Sequence, residues 1–112
     1  MSEIRYRVYV IDLQDDVMDD QKMREMNPGY IPGSPCVYVG STAHTPEKRF
    51  GQHRRGELSN KYVLRYGLRL RDSDADAVVT WDRSFATRME AEDSEASISN
   101  CLREIGWAVW SH

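Results

Sequence analysis

No stretch of this chain approaches the roughly 18 consecutive apolar residues of a membrane-crossing helix, and the opening Met1-Ser2-Glu3-Ile4-Arg5 lacks the apolar middle of a secretory leader. These absences argue against a membrane-embedded chain and for a soluble, cytoplasmic one. Cysteine is scarce. Cys36 and Cys101 stand in apolar contexts without Cys-x-x-Cys or Cys/His spacing, which argues against zinc ligation and a disulfide framework and predicts two buried free thiols. A length of 112 residues leaves room for one modest core, a single domain over 1–112, and none for a separate recognition domain. Substrate selection then falls to this unit, to a homodimer or to a protein partner.

Charge of one sign is also missing where a nucleic-acid binder would be expected to have it, because the formal net charge is −3. The balance is unevenly spread. Residues 1–43 carry 4 basic and 7 acidic side chains, residues 44–71 carry 8 and 2, and residues 72–112 carry 3 and 9. A basic centre between acidic flanks is the pattern of a polyanion-binding face. A solvated helix face is the plainer reading of the same run.

In the present chain the organising stretch is Cys36-Val37-Tyr38-Val39-Gly40-Ser41-Thr42, followed by Pro46 through His53. The first part predicts a buried strand stopping at Gly40. Thr45 and Pro46 predict a helix start, and Gly56 its end. Arg49 and His53, four apart, share one face of that helix. A permanent cation and a titratable imidazole thus project together beside Tyr38.

Upstream, residues 4–13 alternate as a strand with one apolar face and one mixed face, the mixed one bearing Tyr9. Residues 14–35 are acidic and closed by Asn27-Pro28-Gly29 and Pro32-Gly33-Ser34-Pro35, which predicts an inserted loop with at most a short helix around 16–26. Downstream, Ser59 is the expected cap of a helix running from Lys61 to Gly67, and Ala77–Trp81 is the expected third strand. Thr87-Arg88-Met89-Glu90 forms a capping box that opens a helix to Ile105, with Gly106 past its end. Its apolar stripe is Ala91, Ile98, Leu102 and Ile105, and at helical spacing Glu95 falls inside that stripe. An unpaired buried carboxylate costs several kcal/mol, so Glu95 must meet a cation, a metal or water in a cleft. A structural ion pair, for instance with Arg49, is the plain alternative.

Taken together, Val8-Tyr9-Val10, Tyr38-Val39-Gly40-Ser41-Thr42, Arg49 through His53, and Phe85 through Ala91 ending in Glu95 resemble the GIY-YIG nuclease family over nearly the whole chain. The sequence departs from the family pattern at Arg7, where the first motif has glycine, at the 22-residue insertion from Gln14 to Pro35, and after the last helix, where Trp107 and Trp110 stand in place of a frequent asparagine. The resemblance implies an α+β domain with a small three-stranded antiparallel or mixed sheet flanked by helices. It implies an endonuclease hydrolysing phosphodiester bonds in DNA, with Mg²⁺ or Mn²⁺ held by Glu95. Arg49 would stabilise charge developing on the phosphate. Tyr9 or His53 would serve as general base, and Tyr38 would orient water or phosphate. Arg54, Arg55, Lys61, Arg65, Arg69 and Arg71 are the candidate contacts to flanking phosphates. A catalytically weak or inactive relative that binds nucleic acid or a protein is the rival reading.

Overall fold

In the computed structural model, which describes residues 5–56, 60–71, 81 and 83–111, β1 (Tyr6–Leu13) is the central strand of an α+β fold. One edge of β1 pairs antiparallel with β2 (Cys36–Thr42), from Arg7↔Thr42 to Leu13↔Cys36. The other edge is shared by two short strands. Leu13, Asp12 and Ile11 pair with β3 (Gly67–Leu70), and Arg7 and Tyr6 pair with β4 (Ser84–Phe85). β5 (Ala108–Ser111) lies parallel to β2 on its far side.

The sheet is therefore mixed and has five strands among the described residues, where three were expected. The three strands that were not expected are only 4, 2 and 4 residues long, too short for alternation to register in a sequence. The expected strand at Ala77–Trp81 lies outside the described residues except for Trp81, which is buried. β2 also does not stop at Gly40 but continues two residues to Thr42.

β1 has strands on both edges and helices on both faces, so the mixed face that alternation predicted is exposed at Arg7 and buried from Tyr9 onward. Val8 and Val10 join Val37, Val39 and Val109 beneath Ile98 and Leu102 of α4 (Arg88–Glu104), with Trp81 and Trp107. Tyr9, Ile11 and Leu13 face the opposite way with Cys36, Tyr38 and Ala108. That second face is covered by Tyr62 and Val63 of α3 (Lys61–Tyr66), and by Val17 and Met23.

Val17 and Met23 come from the segment expected to be a loop. It forms a 3-10 helix, Asp15–Asp19, and α1 (Gln21–Met26), and both side chains are fully buried. One apolar anchor on each of two short turns leaves no periodic signal, which is why the burial was illegible. Asp20 caps α1 through bonds from the amides of Lys22 and Met23, at 2.9 and 3.2 Å, and accepts the Tyr62 hydroxyl at 3.0 Å, tying α1 to α3.

The helix boundaries follow their local signals. Thr45 caps α2 (Pro46–Arg54) by accepting the Lys48 amide at 3.2 Å, and Gly56 follows at φ 78°. The cap of α3 is Asn60, whose side chain accepts the Tyr62 amide at 2.8 Å; Ser59, the residue expected there, lies outside the described residues. Thr87 caps α4 by accepting the Glu90 amide at 3.2 Å. The Glu90 carboxylate accepts the Thr87 hydroxyl at 2.9 Å rather than an amide, so the box closes side chain to side chain. Two apolar expectations fail at the far end of this helix. Ile105 is 41% exposed, since it stands past the last helical turn, and Cys101 is exposed while Cys36 is buried.

Candidate functional site

α2 reads Pro-Glu-Lys-Arg-Phe-Gly-Gln-His-Arg, and its one fully buried side chain is a histidine. A helix is normally held to a sheet by an apolar stripe. Here His53, 0% exposed, is the inward residue, and its Nε2 lies 3.0 Å from the Tyr9 hydroxyl oxygen. Its Nδ1 accepts the backbone N–H of Asn60 at 3.4 Å. The Tyr38 ring stands edge-on to the imidazole, centroids 5.5 Å apart, and tilted against the Tyr9 ring at 6.1 Å.

The strand register creates this meeting. Tyr9 is paired with Gly40, and the tyrosine ring lies over the glycine, so that a Cβ at position 40 would come within 2.6 Å of the hydroxyl oxygen and 2.7 Å of the ring. Gly40 is thus required by close approach rather than by strand termination. Gly40→Ala should displace the Tyr9 ring and cost about 2 kcal/mol through overpacking. Urea unfolding of the variant checks this, and a midpoint within error of the parent would show that the ring has room to move.

Arg49, one turn before His53, is half-buried; it hydrogen-bonds Tyr9 and also donates to Gln52 Oε1 at 3.2 Å. Glu95 on α4 completes the group, only 4% exposed, with its negative charge acting on both tyrosines. Four of the five polar residues singled out in the sequence, Tyr9, Tyr38, Arg49 and His53, are therefore brought together from three elements, with Glu95 of α4 within electrostatic reach. Burial pushes the Tyr9 hydroxyl up to about 12, against the lowering effects of the Arg49 charge and of the Tyr38 hydrogen bond. Burial likewise raises Tyr38, reinforced by its neighbour Tyr9 and by Glu95. In the protein as folded, both are phenols at neutral pH.

The Tyr9 shift has a consequence for stability. Between pH 10 and 12 the unfolded chain has lost the Tyr9 proton while the folded chain keeps it, so the folded state binds more protons and stability falls as pH rises through that window. The contribution is fully present below pH 10 and approaches roughly 2.5 kcal/mol lost above pH 12. Alkaline denaturation of Tyr9→Phe should be correspondingly less steep than that of the parent. Coincident curves would count against burial of the hydroxyl.

Beside Tyr9 a cleft of about 470 Å³ opens along the part of β1 between β3 and β4, with Arg7, Arg71, Arg83, Glu47 and Trp81 on its walls. Of the six cations proposed for phosphate contact, Arg71 reaches this cleft. It is held by Asp12, Nη1 to Oδ1 at 2.7 Å, and lies over the Trp107 ring at 4.8 Å. Arg69 also binds Asp12, at 3.2 Å, so one buried carboxylate engages two of the six cations and neutralises one of their charges. Arg54, Lys61 and Arg65 are exposed and stack on the neighbouring rings of Phe50, Tyr62 and Tyr66. Arg55 is exposed at the end of α2.

A hard cation fits Glu95 by donor chemistry, a carboxylate oxygen in a largely buried setting. Among the described residues no three His, Cys, Asp or Glu side chains gather as a metal cage. A cation held there would take the rest of its shell from water and phosphate, as Mg²⁺ commonly does. Gln52, which steadies Arg49, was absent from the sequence reading although its spacing of three on a helix made it legible. Asp12 and the Asn60 amide were not, since each acts on a partner distant in the chain or through the backbone. Among the described residues no helix is long and apolar enough to cross a membrane. Comparison with protein-family models, with curated proteins and with solved structures returned no match.

Proposed function

We propose that this chain is a divalent-metal-dependent endonuclease of the GIY-YIG kind, hydrolysing phosphodiester bonds in DNA. The observation that carries the reading is the convergence of Tyr9, Tyr38, Arg49 and His53 at one place, around a hydrogen bond between Tyr9 and His53, with the Glu95 charge acting on both tyrosines. Packing alone would not gather two phenols, a guanidinium and an imidazole beneath a helix with so few apolar residues, with a buried carboxylate on α4 in electrostatic reach.

In this reading Arg49, fixed by Gln52 and Tyr9, presents its planar fork to the scissile phosphate and stabilises the charge that develops as water attacks. Tyr9 orients the attacking water and, once its own hydroxyl proton has passed to solvent, takes the proton of that water. Burial opposes that ionisation, and Arg49 and Tyr38 favour it. Glu95 holds Mg²⁺ or Mn²⁺, which when bound supplies positive charge to the phosphate and the leaving oxygen. Arg7, Arg71 and Arg83 on the adjacent cleft, with the exposed cations of α2 and α3, neutralise flanking phosphates without reading sequence.

The test is cleavage of supercoiled plasmid and of a branched oligonucleotide at low salt, with Mg²⁺ or Mn²⁺ and with chelator. Nicking that requires the metal is the expected outcome. Salt-sensitive binding without cutting would favour a second reading, an inactive nucleic-acid-binding module. The upward shift of Tyr9 and the two arginines engaged by Asp12 support that alternative.

A further inference from the structure

We infer that His53 is held by the backbone N–H of Asn60 as its Nε2–H tautomer, and that it acts on Tyr9 as a hydrogen-bond donor, a positioning residue, rather than as the acceptor of the Tyr9 proton. The Asn60 amide lies 3.4 Å from His53 Nδ1, and a backbone amide can only donate. Nδ1 must therefore present its lone pair. A neutral imidazole carries a single N–H, which is then on Nε2, 3.0 Å from the Tyr9 oxygen. That oxygen accepts from His53 and from Arg49, and the hydroxyl proton of Tyr9 is directed to its remaining partner, the Tyr38 oxygen.

The charged form of His53 is opposed by the same contact, because an imidazolium would set an Nδ1–H against the Asn60 N–H, donor facing donor. Among the described residues, the titratable and charged groups around the imidazole include Tyr9 from β1, Tyr38 from β2 and Arg49 from its own helix, with Glu95 of α4 acting on the two tyrosines. Asn60 is well placed to hold the lock. It is the cap of α3, its side chain fixed on the Tyr62 amide at 2.8 Å, so its own N–H is aimed by the start of a helix.

For catalysis, which rests on the nuclease reading above, the arrangement gives His53 the task of keeping the Tyr9 oxygen in register and of stabilising it as a phenolate. The tautomer itself does not depend on that reading. It is tested on the full chain without metal or DNA, by long-range ¹H–¹⁵N correlation of the imidazole nitrogens, the His53 signals being assigned by their loss in His53→Gln. At neutral pH the expected pattern is one dominant form with protonated Nε2 and unprotonated Nδ1.

Two variants isolate the amide. Asn60→Ala and Asn60→Pro both remove the side-chain cap, and only proline removes the N–H; the φ of −73° at this position suits proline. Asn60→Ala should keep the Nε2–H pattern, and Asn60→Pro should populate the Nδ1–H form. A parent spectrum dominated by Nδ1–H or by imidazolium would overturn the inference, as would identical spectra for the two variants. Absence of cleavage by the parent would bear on the nuclease reading alone.

Discussion

Glu95→Gln is expected to reduce metal-dependent cleavage by a factor on the order of 10³ while the fold is retained. Glutamine keeps the shape and the hydrogen-bonding capacity of the side chain but removes the charge, and the charge is what binds a hard cation. Glu95 is buried on α4 and its charge reaches both tyrosines, so the loss cannot be made up by a surface carboxylate. Stability should stay level or rise, since a buried ionised group is costly to keep out of water. The measurement is nicking rate against Mn²⁺ or Mg²⁺ concentration for both proteins, with thermal unfolding alongside. Equal rates would remove Glu95 from the mechanism. A large drop in thermal stability would mean instead that the carboxylate is a structural ion.

The second large effect concerns stability. Asn27→Ala should cost about 4 kcal/mol, a substantial fraction of what a domain of this size has. Asn27 is buried and makes four hydrogen bonds. Its Oδ1 accepts from the Val109 amide at 2.8 Å and from Arg103 Nε at 3.3 Å, and its Nδ2 donates to the carbonyls of Met23 and Val109 at 2.8 and 3.1 Å. On the outer edge of β5 the side-chain amide takes the place of a neighbouring strand, satisfying both backbone groups of Val109. Loss of it strands the Val109 N–H and uncovers a sheet edge open to pairing with other chains. Urea unfolding of Asn27→Ala against an exposed control, Glu25→Ala, reads the cost. A difference below about 1 kcal/mol would mean that the edge is satisfied in another way.

The site and the stability latch were not equally legible. Glu95 could be placed inside an apolar stripe because helical periodicity is a property of neighbours three and four apart, and the structure buries it. Arg49 and His53 could be assigned to one helix face for the same reason. Asn27, by contrast, sits in Asn-Pro-Gly, a sequence that reads as a turn. Its partner Val109 is 82 residues away, so no local pattern announces the pair. The acidic segment between β1 and β2 reads as an appendage because its two anchors, Val17 and Met23, occupy separate short turns.

What the sequence determined by itself was the set of local structures whose signals lie within a few residues. The caps at Thr45 and Thr87, the glycines ending α2 and α4, the two long strands and the inward carboxylate all belong to that set. The tertiary structure alone decided which strands neighbour β1, the parallel placement of β5, and the register that lays Tyr9 over Gly40 within reach of a histidine 44 residues later. It also decided that Cys101 faces water, and that the Asn60 amide meets His53. The physical reason is that capping and periodicity are fixed by backbone geometry over a turn or two. Pairing register and the partners of buried polar groups are fixed only when distant segments compete for the same core.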